Sequence, residues 1–103
     1  MWIYTYVLQS CKDEQLYVGV TKNLNKRINE HNSGEVVSTK AFIPFKCVYA
    51  EACINDGDAY AREKYLKSGM GRRYIKNRLK RFLTGKKDAC TVRNSEKLSL
   101  RKK

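Results

Sequence analysis

Apolar residues change spacing along the chain, and each change marks an element. Ile3 to Gln9 is rich in β-branched and aromatic residues, which suits a well-covered strand. The polar turn Cys11-Lys12-Asp13-Glu14 separates it from Leu16-Tyr17-Val18-Gly19-Val20, so an antiparallel hairpin is predicted. Gly19 lies inside the second strand, where glycine weakens pairing and often marks the close approach of another backbone or a ligand. The period then becomes helical. Thr21 or Asn23 can cap a helix running to about Asn32, with Gly34 as its stop and Leu24 and Ile28 as its apolar stripe. Glu35 to Phe45 predicts a loop with the only proline, Pro44, and a polar Ser38-Thr39-Lys40 step.

Lys46 to Glu51 predicts a third short strand, and Asn55-Asp56-Gly57-Asp58 a turn that caps a helix from about Asp58 to Lys67. Gly69 and Gly71 interrupt it. A third helix from about Arg72 to Leu83 carries Ile75, Leu79, Phe82 and Leu83 at i, i+4, i+7 and i+8. From Gly85 the sequence is polar and basic. The expected organisation is one α+β domain over residues 1–84 and a loose basic tail over 85–103, in which Leu98 and Leu100 offer the apolar side chains for docking.

A chain of 103 residues supports one core, and 42% apolar with 31% charged residues is a globular composition. No apolar run approaches the roughly 20 residues that span a bilayer. The N-terminus lacks a basic start and a small-residue cleavage site, so it reads as a strand and not as a signal peptide, and a cytoplasmic location is expected. Charge alters the picture more than size does. The formal net charge is +12, yet residues 1–61 hold 6 basic and 7 acidic side chains while residues 62–103 hold 16 and 3. That asymmetry points to a polyanion, with nucleic acid ahead of anionic lipid or an acidic protein. Cys11, Cys47, Cys53 and Cys90 contain no C-x-x-C pair and His31 is the only histidine, so neither a zinc site nor a disulfide framework is expected. Reduced, buried thiols are the expectation.

Helical geometry then singles out three ionisable residues. At 100° per residue, with Leu24 at 0°, Ile28 falls near about 40°, Arg27 near about −60° and His31 near about −20°. Arg27 and His31 therefore share the apolar side. On the next helix Glu63 borders the stripe between Ala59 and Leu66. Such groups are costly on a core face unless paired, hydrogen-bonded or used. Arg27 can snorkel from the stripe edge, His31 can be a satisfied half-buried histidine, and Glu63 can pair with Lys67 at i, i+4. Tyr4, Tyr6 and Tyr17 belong to the hairpin, where tyrosine commonly packs across strands but can also donate to phosphate or relay a proton.

Tyr4-Thr5-Tyr6 followed by Tyr17-Val18-Gly19 resembles the paired motifs of the GIY-YIG nuclease domain. Arg27-x-x-x-His31 matches its second motif, and Glu63 in Ala61-Arg62-Glu63-Lys64-Tyr65-Leu66 matches the acidic motif of its small single-domain branch. That branch is related to the nuclease domain of the bacterial excision-repair endonuclease, so DNA repair is among the roles implied. The resemblance covers about residues 2–83. In the first motif the final tyrosine is the one that agrees with the family name. The resemblance implies a three-stranded antiparallel sheet packed between helices, and metal-dependent hydrolysis of a phosphodiester. It implies Glu63 as the sole protein ligand of one Mg²⁺ or Mn²⁺, and Arg27 as the group that holds the scissile phosphate. Tyr6 and Tyr17 would line the site, one of them positioning or deprotonating the attacking water. His31 would assist the proton transfer or contact phosphate, and Gly19 would admit a backbone. One carboxylate suits Mg²⁺, which keeps several waters, and arginine's fork fits phosphate oxygens.

The expected function is a metal-dependent DNA endonuclease, with RNA as an open alternative substrate. Arg72, Arg73, Lys76, Arg78, Lys80 and Arg81 on the third helix, with Lys40 in the loop, are the expected phosphate contacts. They would give salt-sensitive affinity without sequence reading. Nothing resembles a separate recognition domain, so specificity is expected to be weak or supplied by a partner protein. Two other classes stay open: a nucleic-acid-binding module without cleavage, and a basic adaptor docking on an acidic protein.

Overall fold

A computed structural model describes residues 1–85. Of the expected tail, Gly85 ends the last helix and the rest lies outside the described residues. Three strands form an antiparallel sheet in the order β2-β1-β3: β1 is Ile3–Ser10, β2 Leu16–Thr21 and β3 Phe45–Cys53. Helix α1 is Leu24–Asn32, α2 Asp56–Lys67, α3 Gly69–Arg78 and α4 Lys80–Gly85, with a 3-10 turn at Lys40–Phe42 before β3. This is the α+β architecture expected, a small antiparallel sheet flanked by helices.

β1 lies in the centre and is covered on both faces, which explains its nearly unbroken apolar sequence. Tyr6 and Leu8 point to one face and pack with Phe45, Leu24, Ile28 and Phe42, so α1 and the 3-10 turn cover that side. Val7 points to the other and packs with Leu66 of α2 and Ile75 of α3. Burying each such aliphatic side chain contributes roughly 1.5–3 kcal/mol. The pairing of β1 with β3 slips between Val7 and Leu8, where Val7 opposes Tyr49 and Leu8 opposes Cys47. The extra residue reverses the alternation of β3. Phe45 and Cys47 therefore join the α1 side while Val48 and Tyr49 join the α2 side.

Local chemistry accounts for the helix ends. Asn23, one of the two cap candidates, accepts from the Lys26 N–H and starts α1; Gly34 beyond its end has φ +84°, which a residue with a Cβ rarely adopts. Asn55 accepts from the Asp58 N–H, so α2 begins at Asp56, earlier than Asp58. The single helix expected over residues 72–83 is two. Ser68 closes α2 and at once caps α3, accepting from the Gly71 N–H at 3.2 Å, so helix resumes at Gly69. Leu79, at φ −104° and ψ 21°, then separates α3 from α4. Cys47 and Cys53 are free thiols as expected, whereas Cys11 is disulfide-bonded, against the expectation of reduced cysteines.

Gly71 is buried where α3 crosses the end of α2, and a Cβ there would strike the Tyr65 carbonyl and the Leu66 Cα. Both are backbone atoms and cannot rotate away. Gly71→Ala is therefore expected to destabilise the fold by about 1–3 kcal/mol. A lowered urea midpoint with an unchanged denaturant slope checks this; an unaltered midpoint would mean the α2–α3 crossing is loose.

Candidate active site

β2 is an edge strand, and a cavity of about 540 Å³ runs along it, collecting side chains from both sides of the sheet. α1 contributes Arg27 and His31, the sheet contributes Tyr6, Tyr17 and Gly19, and α2 contributes Glu63. The five candidate catalytic residues and Gly19 thus line one cleft. Arg72, at the start of α3, lines it as well. Lys40, Arg73, Lys76, Arg78, Lys80 and Arg81 are exposed and are not among its lining residues.

Gly19 lies directly opposite Tyr6 in the β1–β2 register. A Cβ at Gly19 would fall onto the Tyr6 phenol, 2.6 Å from its Cζ. Glycine is required here because the tyrosine ring crosses the edge strand at that point. The close neighbour at Gly19 is this chain's own side chain.

Tyr6 is 3% and His31 5% exposed, and their polar atoms find each other. Tyr6 Oη lies 3.0 Å from His31 Nε2, and His31 Nδ1 lies 2.9 Å from Thr39 Oγ1. The Thr39 hydroxyl in turn donates to the Val36 carbonyl at 3.4 Å. That leaves Thr39 to accept from Nδ1–H, so Nε2 carries the lone pair and accepts from the phenol. Burial pushes the Tyr6 phenol up from its ordinary acidity, and the neighbouring Arg27 guanidinium pulls it partly back. Burial, followed by the Arg27 charge, lowers His31 below its ordinary 6.5. At neutral pH the pair is therefore a protonated phenol and a neutral imidazole.

The charged residues are also engaged. Arg27 Nη1 donates to Glu30 Oε1 at 3.0 Å, and Lys67 Nζ stands 3.1 Å from Glu63 Oε2. Arg27 is drawn on by both Glu30 and Tyr6. Tyr17 plays a different part from Tyr6. Its ring stacks on Phe42 at 5.9 Å and meets Phe45 edge-on at 5.2 Å, while burial, then Asp13, raise its phenol. Tyr6 and Tyr17 thus divide into one bonded to the histidine and one packed as a wall. Sequence reasoning missed Thr39 and Glu30 as partners. Glu30 was recoverable from its i+3 spacing to Arg27, whereas Thr39 approaches through a loop and leaves no periodic signal. Tyr60, 59% exposed one turn before Glu63, also lines the cleft and was not anticipated.

Among the described residues no three His, Cys, Asp or Glu side chains gather as a metal cluster. The donor set is one carboxylate, Glu63, already facing a cation in Lys67. A hard divalent ion that retains most of its waters fits such a position; a zinc-type site does not. No helix among the described residues is long and apolar enough to cross a membrane.

Fold and cleft together define a small α+β domain with a tyrosine-lined, mixed-charge cleft beside a basic helix, an arrangement suited to a polyanion. The chain belongs to the GIY-YIG family: the model described as the GIY-YIG catalytic domain matches residues 2–74. This is a nuclease family whose members are generally dependent on divalent metal, which makes nucleic acid the class of substrate. The chain is 48% identical over 65 residues to a UPF0213 protein of Clostridium perfringens, covering 62% of this chain and 69% of that one. It is 40% identical over 81 residues to a UPF0213 protein of Lactococcus lactis subsp. cremoris, covering 74% and 82% respectively. The solution NMR structure of a UPF0213 protein from Bacillus halodurans shares 31% identity with a TM-score of 0.46, over 73% of this chain and 82% of that one.

The His31 environment has a consequence for stability. Its pKa is lowered in the folded protein, so as pH falls below about 6.5 the unfolded chain takes up a proton before the folded one does. The stabilisation is complete above that value and is lost as pH falls through the folded-state pKa. Urea midpoints measured at pH 7.5 and 5.0 are expected to drop more in the wild type than in His31→Gln. Equal drops would show that His31 is not held neutral.

Proposed function

We propose that this protein is a divalent-metal-dependent endonuclease that hydrolyses phosphodiester bonds in DNA with weak intrinsic sequence specificity. The observation that carries this reading is the hydrogen-bonded run from Tyr6 through His31 to Thr39, opening into the same cleft as Arg27 and Glu63. Tyr6 receives a proton from the attacking water as its own proton passes to His31 Nε2. The imidazole is neutral beforehand and so has room for that proton. Its Nδ1–H is held by Thr39, which keeps the ring oriented while charge develops. The adjacent guanidinium of Arg27 favours phenolate character at Tyr6 and offers its remaining N–H groups to the phosphate oxygens. Tyr17 supports the cleft wall.

Glu63 would hold one Mg²⁺ or Mn²⁺, which when bound would supply Lewis-acid stabilisation of the charge that develops on the phosphodiester. Arg72 continues the cationic surface from the cleft onto α3, where Arg73, Lys76 and Arg78 are exposed, with Lys80 and Arg81 beyond. These cations and Lys40 bind the backbone without reading bases. Specificity beyond DNA structure would come from a partner protein, and excision-type repair is the setting that fits such a division of work. A cytoplasmic location accords with this role.

Cleavage assays on branched, nicked, single-stranded and duplex DNA with Mg²⁺ or Mn²⁺ test the reading. Glu63→Ala is expected to abolish cleavage while DNA binding is retained, and EDTA to abolish cleavage by the wild type. Tyr6→Phe is expected to lose about 100-fold or more in rate, the usual scale of a proton-transfer group. Arg27→Lys is expected not to restore activity, because a point charge lacks the fork. Salt-dependent binding with no cleavage by the wild type would replace this reading with a binding module.

A further inference from the structure

Two acid–base pairs involve neighbouring turns of α2, and they are built differently. Arg62 bonds Glu51 at 2.9 Å, with its guanidinium 5.1 Å from the centre of the Tyr65 ring and 4.9 Å from that of Tyr74. Glu51 also accepts from the Tyr49 hydroxyl at 2.9 Å. Every part of that pair is held on the sheet side of the helix. The Lys67–Glu63 pair has no such clamp. The carboxylate is 22% exposed and sits in the cleft wall, while the lysine side chain is 55% exposed and, among the described residues, its ion pair is with Glu63 alone. An exposed i, i+4 pair of this kind is weak, and its lysine exchanges partners readily.

We propose that Lys67 is a placeholder cation: it neutralises Glu63 in the free protein and turns to the phosphodiester when a divalent ion takes the carboxylate. The inference rests on the reading of Glu63 as the metal-binding group. A dication at Glu63 reverses the local charge that holds the ammonium. The anion then nearest in the cleft is the substrate backbone, which Arg27 and Arg72 already approach from the other walls. The lysine stem is long enough to swing without moving α2. Its departure from Glu63 would couple metal and substrate binding, each favouring the other by the same factor. Lys67 is a positioning residue in this account and a phosphate contact once released.

Mn²⁺ titration followed by electron paramagnetic resonance, without nucleic acid and at fixed ionic strength, tests the first half. Lys67→Met is expected to bind Mn²⁺ about threefold or more tighter than wild type, since an ion pair and a like charge are both removed. Lys67→Arg is expected to behave as wild type, and Glu63→Gln to lose binding. Salt dependence of binding to a fluorescein-labelled DNA duplex in EDTA tests the second half. In the Glu63→Gln background, which frees Lys67, adding Lys67→Met should lower the log–log salt slope by about 0.9, one phosphate contact. Unchanged or weaker Mn²⁺ affinity in Lys67→Met, or an unchanged slope, overturns the proposal. Retained Mn²⁺ affinity in Glu63→Gln would instead sink the assignment of Glu63 itself.

Discussion

A hydroxyl as deeply buried as that of Tyr6 must be hydrogen-bonded, and this requirement organises the cleft. The phenol reaches across the edge strand because Gly19 opposes it, and it meets His31 on α1. His31 in turn needs a partner for its second nitrogen and finds Thr39, which belongs to the loop after α1. One buried polar atom thus ties together the central strand, the edge strand, a helix and a loop. The same satisfaction that stabilises the arrangement leaves a phenol and a neutral imidazole in contact at the floor of an open cavity.

Among the described residues the sheet has three strands, and that smallness brings the charged groups together. α1 covers one face and α2 the other, so a further strand beyond β2 would hold Arg27 and Glu63 apart. With β2 at the edge, both helices overhang its rim and their side chains line a single cavity. The shift between β1 and β3 supports this from the far side. It delivers Phe45 to the histidine face and Tyr49 to the α2 face from one strand. Tyr49, Glu51, Arg62 and Tyr74 then fix α2 in place by hydrogen bonds and ring contacts.

Periodicity made much of this legible beforehand. Arg27 and His31 were visible as polar residues on an apolar stripe, and Glu63 as a carboxylate bordering one, because helical phase is a local property. The hairpin and the amphipathic helices were legible for the same reason. Contacts that depend on tertiary closure were not. Nothing in the sequence around Thr39 announces a bond to a histidine eight residues earlier. The bulge in β3 is invisible in a strand rich in apolar residues on both faces. Glycine inside a strand signals the approach of a backbone or a ligand at Gly19, but the neighbour there is the Tyr6 phenol, which only the strand register reveals. The break at Leu79 escaped notice because the apolar spacing runs straight through it.

Ser68 is a joint with no slack. It ends α2, starts α3 through its own hydroxyl, and is followed by Gly71 lying on the backbone of the helix it has just left. The two helices therefore keep a fixed phase. Rotation about a helix proceeds by about 100° per residue, so lengthening this joint by one residue would swing Arg72, Arg73 and Lys76 round to another side. The basic face of α3 is in this sense geared to the carboxylate of α2. Where the proposed backbone contacts on α3 would lie relative to Glu63 is thereby set by a single serine and the glycine three residues after it.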